Sequence, residues 1–403
     1  MPYVFIRFCI FLMLSASPIW LLSQIEIQSR YQPKQADRRL IKDEEELDVL
    51  KNWIIWDNPG NSLISHMVDK AEPYYDRRDS IIKSLKSKEH WELRQRWVKD
   101  RLTSILGPFP HKTSLNPQIT GTIDQEGYRI EKIIFESQPQ YYVSACLYIP
   151  DHIQEKVPAV LNLIGHEQES FRAELDQLVM VNLVKKGIIV MSIDPPGQGE
   201  NVQYYDPDLK LSRIGYSVIE HCYFGNQCFL SGTSSAKYFV WDAIRAIDYL
   251  CSRKEVDPDR IGVTGFSGGG TITTYVSAID DRVLVSVPSS WSTASRRQLE
   301  SKGAQDAEAE LYHALKEGIT LEDLLEVRAP KPTLLTFVSR DQYLTLQAAR
   351  DCFEEVQLAY SSLGQTENFE LVEDDSRHWL TPKIRRHIYD FFCKHFNLPQ
   401  QTE

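Results

Sequence analysis

Short apolar runs alternate with helical segments through the second half of the 403-residue chain, and this alternation limits the possible folds more than any other feature. Predicted strands, rich in branched apolar residues, cover 159–164, 188–193, 260–264, 283–287, 333–338 and 368–372. Predicted helices cover 171–186, 235–251, 270–279, 304–327, 346–362 and 382–396. Such alternation produces a mostly parallel sheet covered by helices on both faces. We therefore predict an α/β, doubly wound fold, with one long excursion of no clear period over 200–232.

The chain before this alternating part has a different pattern. Apolar spacing predicts helices over 43–56 and 61–106, and the period then changes to that of antiparallel strands between 119 and 148. We therefore predict an N-terminal helical extension over 25–118. The α/β domain follows over 119–398 and opens with β-hairpins.

Residues 1–24 have the composition of a secretory signal. Arg7 is the single charged residue, and an apolar stretch from Phe8 to Leu14 is followed by the small residues 15–17. We predict that this segment is removed, that the protein is periplasmic or secreted, and that it is not inserted in a membrane afterwards. The alternative is an uncleaved N-terminal membrane anchor, although the apolar part is short for a spanning helix and Pro18 interrupts it.

The charge balance bears on possible partners. The formal net charge is −11, and no run rich in lysine and arginine stands out. A nucleic-acid partner is therefore not expected, because binding to phosphates requires a basic patch. No sequence feature indicates the oligomeric state.

Six of the seven cysteines lie beyond the predicted signal. Export permits disulfides, and Cys222 and Cys228 share one segment that looks like a loop. They are the pair we expect to be bonded. The other cysteines fall on predicted strands and helices and are interpreted as buried thiols.

The segment 261–270 contains the pattern G-x-S-x-G, formed by Gly265, Ser267 and Gly269. It lies between a predicted buried strand and a predicted helix, which is the setting of a nucleophile elbow. The two glycines remove the Cβ atoms that would clash at so sharp a turn. We predict that Ser267 is a catalytic nucleophile; the alternative is a purely structural glycine turn.

A serine nucleophile needs a histidine base and an acid that orients it, and in this topology they follow in the order Ser, acid, His. Asp341 and His378 each come just after a predicted strand, beyond its carboxyl end. Asp374 and Asp375 are rival acids, but both lie too close to His378 in sequence to orient it easily. The rival bases His387 and His395 fall among apolar residues of the C-terminal helix.

The oxyanion of an acyl-transfer intermediate needs backbone N–H donors. We expect one from Gly268, directly after the nucleophile, and one from His166 in the loop after an early strand. His166 could instead contact the substrate or bind a metal. No companion ligand follows it at short spacing beyond Glu167 and Glu169, so we predict no metal site, and the chemistry requires no cofactor.

Together these motifs resemble the α/β-hydrolase superfamily, most closely its bacterial acetyl-xylan-esterase-like and dienelactone-hydrolase-like branch. The residues that carry the resemblance between about Trp91 and Phe396 are 106–110, 121–131, 165–166, 194–199, 257–262, 265–270, Asp341 and His378. The resemblance implies an eight-stranded sheet, a Ser–Asp–His triad and hydrolysis of carboxylic esters, often acetyl groups on carbohydrates. Members commonly carry glycine directly before the histidine, where this chain has Arg377. Dienelactone hydrolases proper use a cysteine nucleophile, which disfavours their reaction here.

These observations predict an exported serine esterase with a small-molecule or carbohydrate ester as its substrate. Two alternatives stay open: a peptidase of the same fold, and a non-catalytic carbohydrate-binding protein shaped like a hydrolase. The acyl group and the alcohol are not encoded in any motif. Six aromatic residues are candidates for a sugar-stacking pocket: Tyr204, Tyr205, Tyr223, Phe224, Trp291 and Trp379.

Overall fold

A nine-stranded sheet forms the centre of the protein in a computed structural model, which describes residues 59–399. The spatial order of its strands is β1-β2-β3-β5-β4-β8-β9-β10-β11. Their bounds are β1 Gln118–Gln125, β2 Tyr128–Gln138, β3 Tyr141–Pro150, β4 Val157–Leu163, β5 Ile189–Ile193, β8 Val256–Phe266, β9 Val283–Ser289, β10 Thr333–Val338 and β11 Phe369–Asp374. A separate two-stranded ribbon contains β6 Tyr205–Asp206 and β7 Leu211–Ser212.

The direction of the strands divides the large sheet into two parts. From β5 through β4 to β11 every neighbouring pair is parallel, whereas β1, β2 and β3 are antiparallel to their neighbours. This agrees with the predicted change of pattern near residue 159. The count of strands is nine rather than the eight that the resemblance implies. The largely exposed edge strand β1 is among the nine.

Ten helices accompany these strands in the described part of the chain. Their bounds are α1 Ser62–Ser84, α2 Lys88–Leu106, α3 Glu174–Lys185, α4 Val218–Leu230, α5 Ala236–Ser252, α6 Gly268–Ile279, α7 Ser295–Glu300, α8 Leu321–Glu326, α9 Leu346–Ser362 and α10 Pro382–His395. Two predictions were wrong here. The excursion over 200–232 contains a helix, α4, and the segment 304–327 is mostly turns, with one 3₁₀ turn at Ala307–Ala309 before the short α8.

Apolar layers cover both faces of the sheet, because successive residues of a strand point to opposite sides. In β4, Leu161 belongs to a core shared with α2, α5 and α6, whereas Val160 belongs to a core shared with α3 and α10. All residues of β5 and β10 are buried, as expected for strands covered on both faces. The rigid sheet fixes the positions at which its strands end.

Helices α1 and α2 are joined to the rest of the fold by buried charges. Asp323 of α8 accepts hydrogen bonds from Arg78 and from Arg94, each at 2.6 Å. The three side chains are at most 6% exposed. The described residues from Asn61 onward form one compact unit. The predicted domain boundary near residue 118 stays a prediction.

The predicted disulfide between Cys222 and Cys228 was wrong. The six cysteines in the described part are free. Cys222 and Cys228 lie on one helix, α4, where six residues correspond to a rise of about 9 Å, beyond the reach of a disulfide. The predicted signal segment 1–24 and the predicted helix 43–56 lie outside the described residues. Between residues 59 and 399 no helix combines the length and apolar character needed to cross a membrane.

Candidate active site

Ser267 occupies the turn between a buried strand and a buried helix. β8 ends at Phe266 and α6 begins at Gly268, so the serine is the single residue between them. Its backbone has φ 57° and ψ −120°, a conformation that costs energy for any residue with a Cβ atom. Its N–H donates to the carbonyl of Ser289 at 2.9 Å, and its carbonyl accepts from Thr271 at 3.1 Å. The sharp turn is therefore held by hydrogen bonds on both sides.

Close packing explains the glycines around this turn. A Cβ atom on Gly265 would lie 2.5 Å from the backbone of Gly269, and one on Gly269 would lie 2.1 Å from the carbonyl oxygen of Leu163. No real Cβ atom approaches backbone atoms so closely. Both glycines are thus required by the contact between the turn and β4, as the sequence pattern predicts.

His378 and Asp341 meet beyond the carboxyl ends of two neighbouring strands. Asp341 follows β10 and His378 follows β11, and these strands pair in parallel. The distance from His378 Nδ1 to Asp341 Oδ2 is 2.6 Å, and the two side chains are 10% and 0% exposed. The other oxygen of Asp341 accepts the N–H of Tyr343 at 2.9 Å and that of Leu344 at 3.2 Å. Since a carboxylate accepts, His378 donates from Nδ1 and keeps a lone pair at Nε2.

The free nitrogen of His378 is buried and makes no hydrogen bond to any described residue. The ring is held between Phe266, whose centroid is 4.6 Å away, and Tyr343, at 5.0 Å. Both Ser267 and His378 line one cavity of about 470 Å³. Its other lining residues are Gly165, His166, Glu167, Leu175, Asp176, Val218, Phe266, Ser290, Trp291, Ala304, Asp306, Tyr343 and Leu344.

The rival residues have other partners. Asp375 accepts from Ser339 at 2.5 Å and from Arg340 at 2.8 Å, and Asp374 accepts from the hydroxyl of Thr381 at 2.5 Å. His387 and His395 both lie on α10, where Nδ1 of His387 contacts the carbonyl of Lys383 at 2.8 Å. Of the candidate acids, the structure brings Asp341 against the ring of His378.

Arg377 stands where the resemblance implies a glycine. It is exposed, and its φ is not positive, so a side chain is accommodated here without backbone strain. Of the six aromatic candidates, Trp291 lines the cavity. The other five lie outside its lining among the residues that the structure describes.

The loop after β4 lies directly against the turn of Ser267. A Cβ atom on Gly165 would be 2.8 Å from the carbonyl oxygen of Phe266 and 3.6 Å from Cβ of Ser267. Gln198 holds this loop by donating to the carbonyls of Gly165 at 2.6 Å and Glu167 at 2.7 Å. The loop that carries the predicted second oxyanion donor is thus adjacent to the serine and fixed by the turn after β5.

The side chain of His166 belongs to a second polar group beside the turn. Its Nε2 hydrogen bonds to Glu308, and Glu308 also faces Nδ1 of His221 at 3.1 Å. Burial raises the pKa of Glu308, but the nearby imidazoles of His221 and His166 lower it more, so the net pKa is well below the usual range. Burial lowers the pKa of His166, but the hydrogen bond and charge of Glu308 raise it further, above its ordinary value.

His221 and Glu308 are functional candidates that the sequence did not predict. Both come from the segments whose structure was predicted wrongly, α4 and the turn at 307–309. They lie 55 and 142 residues from His166 along the chain. No local spacing rule could connect residues so far apart. His221 is a polar residue on the buried face of α4, which is a recognisable signal, but it can be read only when the bounds of this helix are known.

This arrangement has the parts that acyl transfer requires. It combines a hydroxyl on a sharp turn, an imidazole with a free nitrogen in the same cavity, a buried carboxylate behind the imidazole, and a backbone loop against the turn. Each part lies beyond the carboxyl end of a strand, where open α/β sheets form their ligand sites.

Comparisons with known proteins agree with this chemistry. The family model described as acetyl xylan esterase (AXE1) matches residues 109–321. The protein YtaP of Bacillus subtilis (strain 168), named as a hydrolase, is 23% identical over 316 residues, which are 73% of this chain and 98% of YtaP.

Solved structures share the fold at lower identity. The methylesterase BT1017 superposes with a TM-score of 0.64 at 22% identity, covering 82% of this chain and 69% of its own. A CE15 glucuronoyl esterase from Teredinibacter turnerae T7901 gives 0.57 at 17% identity, covering 77% and 86%. The predicted α/β-hydrolase fold and the resemblance to acetyl xylan esterases are confirmed.

Proposed function

The chain belongs to the acetyl xylan esterase (AXE1) family and is a carboxylic ester hydrolase, and we propose that it cleaves acetyl or similarly small esters of carbohydrates through a Ser267–His378–Asp341 triad. One observation carries the proposal. The buried Nε2 of His378 has no partner among the described residues, while Nδ1 is tied to Asp341 and the ring shares a cavity with Ser267. A nitrogen so placed is ready to accept a proton.

In the proposed reaction, Oγ of Ser267 attacks the ester carbonyl carbon and its proton passes to Nε2 of His378. Asp341 stabilises the imidazolium through Nδ1. The N–H groups of Gly268 and His166 hold the oxyanion. The carbon–oxygen bond to the alcohol then breaks, and His378 returns the proton to the leaving oxygen. A water molecule, activated by the same nitrogen, hydrolyses the acyl-serine and releases the acid.

The wall of the cavity supports a carbohydrate ester as the substrate. Trp291 provides an aromatic surface, and Glu167 and Asp306 provide carboxylates that could accept hydrogen bonds from hydroxyl groups. Carbohydrate derivatives are also named in the glucuronoyl esterases that share the fold. A volume of about 470 Å³ accommodates a sugar ring with a small acyl group.

We extend the proposal to the location and organisation of the protein. The composition of residues 1–24 supports export with removal of the signal, and the sequence pattern supports a helical extension over 25–118 before the hydrolase domain over 119–398. N-terminal sequencing of the protein recovered outside the cytoplasm tests export. A retained Met1 in the mature protein would instead favour the membrane anchor.

The Ser267→Ala variant tests the nucleophile. We expect a loss of kcat of about 10⁴ or more on p-nitrophenyl acetate, with an unchanged circular dichroism spectrum, because the covalent step is lost while the fold is kept. Ser361→Ala is the matched control, since Ser361 is exposed on α9 and should leave kcat unchanged. Near-normal turnover by Ser267→Ala would show that Ser267 is not the nucleophile.

A substrate panel tests the chemical class separately. It contains acetylated sugars, xylan fragments, methyl uronates, p-nitrophenyl esters of increasing chain length and aminoacyl-arylamides. We expect the highest kcat/KM on acetylated sugars, because the cavity combines polar groups with one aromatic wall. Preference for arylamides would favour a peptidase, and preference for long-chain esters would remove the carbohydrate from the proposal.

A further inference from the structure

His166, His221 and Glu308 form a cluster that the triad chemistry does not use. His166 follows β4, His221 lies on α4, and Glu308 lies in the turn at 307–309. One nitrogen of each histidine and a carboxylate oxygen all lie within 4.8 Å of one another. The side chains of His221 and Glu308 are each 2% exposed, and that of His166 is 19% exposed.

Two buried atoms, Nδ1 of His221 and Oε2 of Glu308, face each other without a hydrogen bond. Nε2 of His221 lies 2.8 Å from the carbonyl oxygen of Pro196, and a carbonyl only accepts, so Nε2 carries a proton. Its Nδ1 is 3.1 Å from Oε2 of Glu308, yet neither atom forms a hydrogen bond with a described residue. In the neutral tautomer, two lone pairs oppose each other in the interior, which is costly unless a cation lies between them.

The outer contact of His221 is that of a metal ligand. Histidines that bind metals usually donate their second N–H to a backbone carbonyl or a carboxylate, which fixes the ring. His221 does so to Pro196, and the second nitrogen of His166 lies 3.9 Å from Oδ2 of Asp306. Two imidazoles and one carboxylate are a common zinc ligand set.

A small cavity adjoins the cluster. Its volume is about 20 Å³, which suffices for one water-sized ligand. His166, His221 and Glu308 all line it, together with Gly268 and the buried Asp242. A water molecule in this cavity could serve as a fourth ligand beside the three side chains.

We propose that His166, His221 and Glu308 bind one divalent transition-metal ion of the zinc class beside the nucleophile turn. The ligands come from three segments far apart in sequence, so the ion ties α4 and the turn at 307–309 to the loop after β4. A Cβ atom on Gly268 would lie 2.7 Å from Nε2 of His166, which places the site directly behind the turn. Its primary role is to fix this loop, and the proposal does not depend on the esterase mechanism.

Metal content after chelation and reloading tests the site. The full-length protein is dialysed against a chelator, exposed to Zn²⁺, passed over a desalting column and analysed by mass spectrometry for metal. We expect about one equivalent in the wild type and at least about tenfold weaker binding in His221→Asn and in Glu308→Gln. His387→Ala is the matched control, because His387 is exposed on α10 and removing it should leave the bound equivalent unchanged.

Two further measurements keep the test independent of ester hydrolysis and of the stability of the variants. Zn²⁺ should raise the Tm of the chelated wild type, since an ion that binds the folded state stabilises it. Co²⁺ bound in place of Zn²⁺ should give the visible absorption bands of a four-coordinate site.

Three results would overturn the proposal. The wild type could retain no Zn²⁺, its Tm could stay the same when Zn²⁺ is added, or the wild type, His221→Asn and Glu308→Gln could bind Zn²⁺ equally well. If the wild type retains no ion, the cluster is instead a hydrogen-bonded network in which a His221 ring protonated on both nitrogens donates to Glu308.

Discussion

Two histidine–carboxylate pairs flank the turn that carries Ser267, and they differ in what the second ring nitrogen meets. His378 is bound to Asp341 through one nitrogen, and its other nitrogen is free within the large cavity. His166 contacts Glu308 through one nitrogen and approaches Asp306 with the other, while a second histidine stands against the same carboxylate. One pair has an unused nitrogen in the cavity that Ser267 also lines, whereas the other has both ring nitrogens near carboxylates.

This contrast means that a histidine next to a carboxylate is not sufficient to identify a catalytic pair. Proton transfer requires a lone pair that can reach the reacting group, and of these two pairs it is His378–Asp341 that has a ring nitrogen without a partner among the described residues. The second pair concentrates charge and ligand atoms in a closed space, which suits cation binding and positioning of the loop. The following four variants test this division.

Replacing His378 should have the largest effect. In His378→Asn the proton acceptor is lost, and we expect kcat to fall by about 10⁴ with little change in KM. Steady-state kinetics on p-nitrophenyl acetate measure the loss, and His387→Ala serves as control. If His378→Asn loses less activity than a substitution of His166, the roles of the two pairs have been exchanged.

Asp341→Asn should have the next largest effect. The amide cannot hold the Nδ1–H tautomer of His378, so we expect kcat to fall by roughly 10³–10⁴. The matched control is Asp375→Asn, which changes an exposed carboxylate in the neighbouring loop. Similar losses in both variants would mean that Asp341 acts through the loop structure and not through the ring of His378.

Asp242 lines the small cavity beside the cluster of His166, His221 and Glu308, and replacing it tests how burial affects the ionisation of this carboxyl group. Burial raises its pKa from 3.8 to about 7, so the folded state holds a proton that the unfolded state releases. The stability that this proton contributes is complete below pH 3.8 and is lost as the pH rises through about 7. We expect Asp242→Asn to flatten this dependence and to be the more stable protein above pH 7, by up to about 4 kcal/mol.

Urea unfolding at about pH 5 and about pH 8 measures the effect of Asp242→Asn. Asp208→Asn is the control, because Asp208 is exposed and its replacement should leave the pH profile parallel to the wild type. Parallel profiles for the Asp242 variant as well would show that this carboxyl is ionised in the folded protein.

Glu308→Gln should have the smallest effect on turnover. The amide can still hydrogen bond but lacks the negative charge, so we expect a loss of less than about tenfold in kcat and of roughly 1–3 kcal/mol in the free energy of unfolding. Kinetics and urea unfolding of one preparation give both values. A loss of turnover as large as that of His378→Asn would place Glu308 among the groups that act in the reaction.

The two pairs also differ in how far the sequence predicts them. Ser267, Asp341 and His378 each follow a strand with a strong apolar signal, and strand order alone brings the ends of β8, β10 and β11 to one edge. The alternation of strands and helices predicted the parallel part of the sheet for the same reason.

The contacts of His166 depend on segments that lack such a signal. α4 carries both polar and apolar residues within an irregular excursion, and Glu308 lies in a three-residue turn. Their positions are set by tertiary packing: Gly225 of α4 lies so close to Ala307 that a Cβ atom on Gly225 would be only 2.3 Å from Cβ of Ala307. Local pattern cannot report a contact between residues that are distant in sequence.

The carboxylate of Asp323, which Arg78 and Arg94 share, determines when α1 and α2 can dock during synthesis. Arg78 and Arg94 are made 245 and 229 residues before their partner. At about 5–20 residues per second, the two arginines wait roughly 10–50 s before Asp323 exists. Helices α1 and α2 therefore leave the ribosome before the carboxylate that their arginines contact has been made, and their docking is deferred until most of the sheet has been translated.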